Sequence, residues 1–127
     1  MERFLFVALG GAVGSSARYA TGIATTRLLG HGWPYGTFTV NVVGGLLMGA
    51  LAGYLAHRGG LDQEKWRVLL GVGVLGGFTT FSAFSLETAL MIEKRLYGQA
   101  LAYVGLSVII SIAALFAGLM LARRVFA

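Results

Sequence analysis

Inside one long apolar run stand Gly76-Gly77-Phe78-Thr79-Thr80-Phe81-Ser82-Ala83-Phe84-Ser85-Leu86-Glu87. Two adjacent glycines, four hydroxyls, three phenylalanines and a carboxylate share this stretch. Each glycine lies about 1 kcal/mol below alanine in helix propensity, so the sequence predicts an interruption near Gly76. Non-helical backbone at membrane depth persists only where protein or a water-filled cavity satisfies its polar groups. A break followed by Thr79, Thr80, Ser82 and Ser85 therefore reads as a site. A glycine packing contact with incidental hydroxyls is the alternative.

Phe81 and Phe84 are three apart and share a face on a helix that resumes after the break. Packing is the ordinary use of such rings, but their electropositive edges can also face an anion. Asn41, in Thr37-Phe38-Thr39-Val40-Asn41, carries two amide donors able to replace part of an ion's water shell. An interhelical hydrogen bond is its other reading. Tyr103, Ser107 and Ser111 fall at i, i+4 and i+8, a polar stripe on an apolar segment. Such serines can also bond back to their own helix. Arg18 lies about 21 Å along the first segment, at 1.5 Å per residue from Phe4. A buried arginine marks an ion path or a paired charge, or it snorkels to the interface. Glu87, one turn beyond Phe84, lines a vestibule or pairs with Arg18.

The elements that must hold these residues are membrane spans. The 127 residues are 57% hydrophobic and 12% charged, and mean hydropathy is +0.78. Soluble domains carry about 25% charged residues. The formal charge of +5 sits at the ends of apolar runs, as residues flanking spans do, and no basic patch with interleaved aromatics exists, which excludes nucleic acid. With no cysteine, disulfide and thiolate-metal scaffolds are excluded. No paired histidines, nucleophile–base set or phosphate loop appears, so the chain does not read as an enzyme. His31 and His57 fall in loops, where solvation is the simplest reading.

Four segments near the roughly 20 residues that cross a bilayer are expected at about 4–29, 37–56, 66–91 and 97–122, forming one transmembrane domain over 1–127. Met1-Glu2-Arg3 before Phe4 superficially resembles a signal peptide, but apolar character resumes beyond Arg18, so an uncleaved first helix is expected. Asp62 is a plausible N-cap of the third helix. Small residues recur at four-residue steps (Gly10 and Gly14; Gly45, Gly49 and Gly53; Gly73 and Gly77), which allow close helix contact. Six basic residues (Arg3, Arg58, Lys65, Arg67, Arg123, Arg124) share one side of this topology against three (Arg27, Lys94, Arg95) on the other. That modest bias permits insertion both ways.

From the residues alone this is a small permeation protein whose donor-rich, carboxylate-poor lining leans towards an anion, and whose tight helices call for an oligomer. The full chain resembles the small bacterial fluoride channels of the Fluc or CrcB family. Arg18, Gly36-Thr37 leading to Asn41 and Gly44-Gly45, and the Gly76–Ser85 stretch with Glu87 carry the resemblance. Ala83 stands where family members often have threonine.

The resemblance implies an all-α integral membrane fold: four transmembrane helices with a broken third, assembled as an antiparallel dual-topology homodimer in the inner (plasma) membrane. It implies two pores per dimer for passive fluoride export. One structural Na+, not transported, would sit at the two-fold axis on the backbone carbonyls of Gly76 and Thr79. Asn41, Phe81, Phe84, Thr80, Ser82, Tyr103, Ser107 and Ser111 would line the fluoride path, with Arg18 and Glu87 in the vestibule. Two rivals are a dual-topology proton-coupled small multidrug exporter and a purely structural subunit. The exporter needs an acid in the first span, where this chain has Arg18.

Overall fold

The computed structural model describes residues 1–58, 60 and 63–126. The N-cap expected at Asp62 lies outside the described residues. Every regular element among them is helical: α1 (Glu2–Leu29), α2 (Tyr35–Arg58), α3 (Gln63–Trp66), a π-helical segment (Arg67–Leu75), α4 (Gly76–Phe78), α5 (Phe81–Glu93) and α6 (Tyr97–Phe126). Among the described residues three stretches are long and apolar enough to cross a bilayer: Tyr35–Arg58, Gln63–Glu93 and Tyr97–Phe126. Helix α1 has the length, at 28 residues, but interleaves Ser15, Ser16, Arg18, Thr21, Thr25 and Thr26 among its apolar residues. The chain is an all-α membrane protein.

Glycine seams set the packing. Helices α2 and α6 share the longest contact, because Gly49 lies against the Leu115 carbonyl and Gly118 against that of Leu46, with no room for a β-carbon. On the other side α1 packs on the π segment and α4. A β-carbon on Gly10 would stand 2.6 Å from the Leu69 carbonyl oxygen, and one on Gly77 2.8 Å from that of Gly11. Without a hydrophobic drive between helices in lipid, such close backbone approach supplies the association.

The interruption is real but does not fall at the glycines. Gly76 and Gly77 are helical; the extended residues are Thr79 (φ −84°, ψ 161°) and Thr80 (φ −153°, ψ 122°). Gly77 serves the contact with α1, and that packing outweighs its poor propensity. Upstream, nine residues are wound as a π-helix, a form usually seen as single-turn bulges near functional sites. Downstream, the Thr80 hydroxyl accepts from Ala83 N–H at 3.2 Å and caps α5. The break also changes partners. The chain before it packs mainly on α1, whereas α5 packs on α6. Under α5 lies a small core of Met91, Ala100 and Tyr103, covered by Trp33, Phe38 and Phe84.

Candidate functional site: a broken helix between two cavities

Backbone groups released by the break must find partners, and side chains of two other helices supply them. Asn41 of α2 accepts from Thr80 N–H at 2.8 Å and donates to the Thr80 carbonyl at 3.1 Å. Arg18 of α1 donates from Nε to the Gly77 carbonyl at 3.0 Å. Thr79 folds back on its own helix, its N–H and its hydroxyl both donating to the Leu75 carbonyl at 3.0 Å.

These diversions leave carbonyls behind. In a continuous helix the Gly76 and Thr79 carbonyls accept from the N–H four residues on, here Thr80 and Ala83. Both donors are engaged by side-chain oxygens instead. The two carbonyls expected to hold a cation are thus among those that lose their regular donors, and Gly76 is exposed. Oxygen-only, main-chain ligation suits a hard cation, so the residues present fit Na+.

Two cavities meet at Thr80, which lines both. The smaller, a groove of about 310 Å³, is walled by Asn41, Thr79, Thr80, Phe81, Phe84, Ser107 and Ser111, with Val108 and Ile112 at its edge. Phe81 and Phe84 lie with ring centroids 5.7 Å apart, and Phe81 is 79% exposed. The hydroxyls of Ser107 and Ser111 are buried without a hydrogen-bond partner among the described residues. Neither uses the back-bond to its own helix that serine often makes.

The larger cavity, about 740 Å³, is a vestibule holding Arg18, Thr37, Ala83 and Glu87, with Arg27, His31 and Lys94 also on its wall. Among the described residues Glu87 forms no ion pair with Arg18; its carboxylate instead accepts from the hydroxyls of Tyr103 and Thr37, each at 3.0 Å. One acid thereby ties α5 to α6 and α2. Above it, Trp33 stacks edge-on against Tyr103 at 5.1 Å.

The structure gathers Asn41, Thr80, Phe81, Phe84, Ser107 and Ser111 on one groove and Arg18 with Glu87 on the vestibule. It puts Tyr103 and Ser82 on neither wall. Tyr103 is fully buried between the cavities, while Ser82 is exposed and meets the Thr80 hydroxyl at 3.3 Å. Thr37 is the polar residue the spacing does not reveal. Fifty positions separate it from Glu87, and a threonine opening an apolar segment carries no signal of its own.

A family model described as CrcB-like protein, Camphor Resistance (CrcB), matches residues 5–119. Curated relatives are similar over the whole length. A protein of Caulobacter vibrioides (strain ATCC 19089 / CIP 103742 / CB 15) named "Fluoride-specific ion channel FluC" is 69% identical over 127 residues, covering all of both chains. Proteins of the same name from Phenylobacterium zucineum (strain HLK1) and Hyphomonas neptunium (strain ATCC 15444) are 67% and 51% identical, again covering all of both chains.

Proposed function

This chain belongs to the CrcB-like family, and from that premise we propose that it is a fluoride-specific ion channel, a multi-pass protein of the inner membrane and not an enzyme. The observation that carries the reading is a pair of buried hydroxyls, Ser107 and Ser111, that have no partner among the described residues and face the same groove as Phe81 and Phe84. Buried polar groups are ordinarily bonded. Two unmet donors beside two ring edges offer a small anion what water offers it, without a fixed positive charge to hold it. Asn41 has one amide hydrogen beyond the pair of bonds it makes to Thr80, and it adds a donor on the same wall. Fluoride would enter by the vestibule past Arg18 and Glu87, then pass Thr80 into the groove. The process is electrodiffusion, and export runs down the gradient.

The groove is open along one side of the single chain, where Phe81 and Ile112 are 79% and 54% exposed. A conduit for a hydrated anion cannot be open to hydrocarbon, which supports a second copy as its other wall. We therefore read the assembly as a four-span, antiparallel homodimer inserted both ways, with two pores and with α1 as the fourth span. Na+ would be held by the Gly76 and Thr79 carbonyls of the two copies. When bound, it supplies a fixed positive charge between otherwise apolar faces and takes no part in transport.

Purified protein in liposomes loaded with fluoride tests this reading. Efflux followed by a fluoride electrode should be fast, electrogenic and unaccompanied by proton movement. Proton-coupled efflux, or none, overturns it.

A further inference from the structure

Arg18 brings a charge to the wall of the larger cavity, yet the bond it makes is to backbone. Its Nε donates to the Gly77 carbonyl, the last helical turn before the break. That carbonyl's regular donor is Phe81 N–H, which lies across the extended pair and opens α5. Left unmet at membrane depth, such a carbonyl has neither water nor helix to bond it, which hydrocarbon does not tolerate. Gly11, Ser15 and Arg18 lie on one face of α1, and Gly77 packs on the first two; its β-carbon would meet Gly11 at 2.8 Å and Ser15 N at 3.2 Å. The glycine seam thus delivers the arginine to the carbonyl. Beyond the break Asn41 closes both backbone groups of Thr80. The polar groups on either side are thereby anchored to two different helices, α1 and α2.

We infer that Arg18 and Asn41 are positioning residues, a two-sided clamp that holds the interruption extended and so fixes where Phe81 and the freed carbonyls sit. Arg18 acts here through a neutral property, an N–H at a particular reach, and not through its charge. Asn41 acts by withholding Thr80 N–H from the Gly76 carbonyl. Without it, the N–H and the carbonyl of Thr80 both lose their partner and the break loosens. The clamp goes beyond the channel reading and depends on it only for the flux measurement below.

Substitution at Arg18 separates the two roles, because glutamine places an amide nitrogen the same number of bonds from the backbone as arginine Nε, while methionine matches the length with no donor. Hydrogen exchange of the purified protein, read by mass spectrometry on peptides covering residues 72–86 and 45–56, reports the break and the α2–α6 seam separately. Arg18→Met and Asn41→Leu should raise exchange around the break about tenfold or more, the scale of one lost buried hydrogen bond, with the seam unchanged. Arg18→Gln should restore protection around the break that Arg18→Met loses, and its fluoride efflux should exceed that of Arg18→Met. If glutamine and methionine lose flux equally while the break stays protected, Arg18 works by charge and the clamp is wrong. Unchanged exchange in Asn41→Leu overturns its half. Should Arg18→Met not yield folded protein, Arg18→Gln decides alone: parent-like protection supports the clamp, and a loosened break refutes it. A clamp that passes the exchange test in protein without fluoride efflux stands, and the channel reading falls by itself.

Discussion

A buried serine hydroxyl with nothing to bond forfeits about 1–3 kcal/mol of solvation, so Ser107, only 5% exposed, is a poor choice for packing alone. Ser107→Ala should leave thermal stability equal or higher while lowering fluoride efflux several-fold. Lower stability with full efflux would make the hydroxyl a packing group. Phe81→Ile probes the ring edge in the same way. The ring is mostly exposed in the single chain and supports little of its core, so the dimer should persist while efflux falls at least about tenfold, the scale of a stabilising contact of roughly 1.4 kcal/mol. Equal efflux rates would remove the ring from the path. These residues were legible because helical spacing fixes which side chains share a face. Their partners were not. Asn41 and Thr80 meet across 39 positions, and Thr37 and Glu87 across 50, distances over which periodicity says nothing.

The helices themselves follow from apolar runs bounded by charged turns, and the glycine steps foretell seams that the structure contains. The π segment from Arg67 to Leu75 does not announce itself, since its winding is a shift in hydrogen-bond partner with no compositional mark. The break is displaced for a related reason. Propensity points to Gly76 and Gly77, but tertiary packing uses Gly77 for close approach to α1 and leaves the extended backbone to Thr79 and Thr80, the second of which Asn41 of α2 bonds. Gly14 tests this account. A β-carbon there collides with the Val74 carbonyl oxygen and stands 2.8 Å from Phe78 N, both backbone atoms that cannot swing aside. Gly14→Ala should cost about 1–3 kcal/mol, as overpacking does, and should lower the melting temperature of the purified protein. Gly11→Ala on the same helix meets nothing within 4 Å and should be neutral or gain up to about 1 kcal/mol from propensity. Matching melting curves for the two variants would mean that the α1 seam does not set the geometry of the break.

At the scale of the whole molecule, the single chain leaves several features uncovered. The groove is open, Phe81 and Val72 are exposed at 79% and 48%, and Gly76 is exposed with a carbonyl whose regular donor Asn41 has taken. Lipid suits the phenylalanine and the valine but not the carbonyl, because hydrocarbon offers an oxygen lone pair nothing. A second copy meeting this one across a two-fold axis would bring equivalent carbonyls together, and clustered carbonyls repel unless a cation lies among them. Assembly and Na+ are then linked: a ligand that binds only the assembled state stabilises it by mass action. Exchanging Na+ for a large organic cation throughout purification should lower the dimer fraction, read by cross-linking in detergent, and should slow efflux in proportion. Restoring Na+ should recover both, with a midpoint concentration that falls as protein concentration rises. A dimer indifferent to the cation at every protein concentration would mean that some other group satisfies the Gly76 and Thr79 carbonyls, and the interface would have to be held by apolar contact alone.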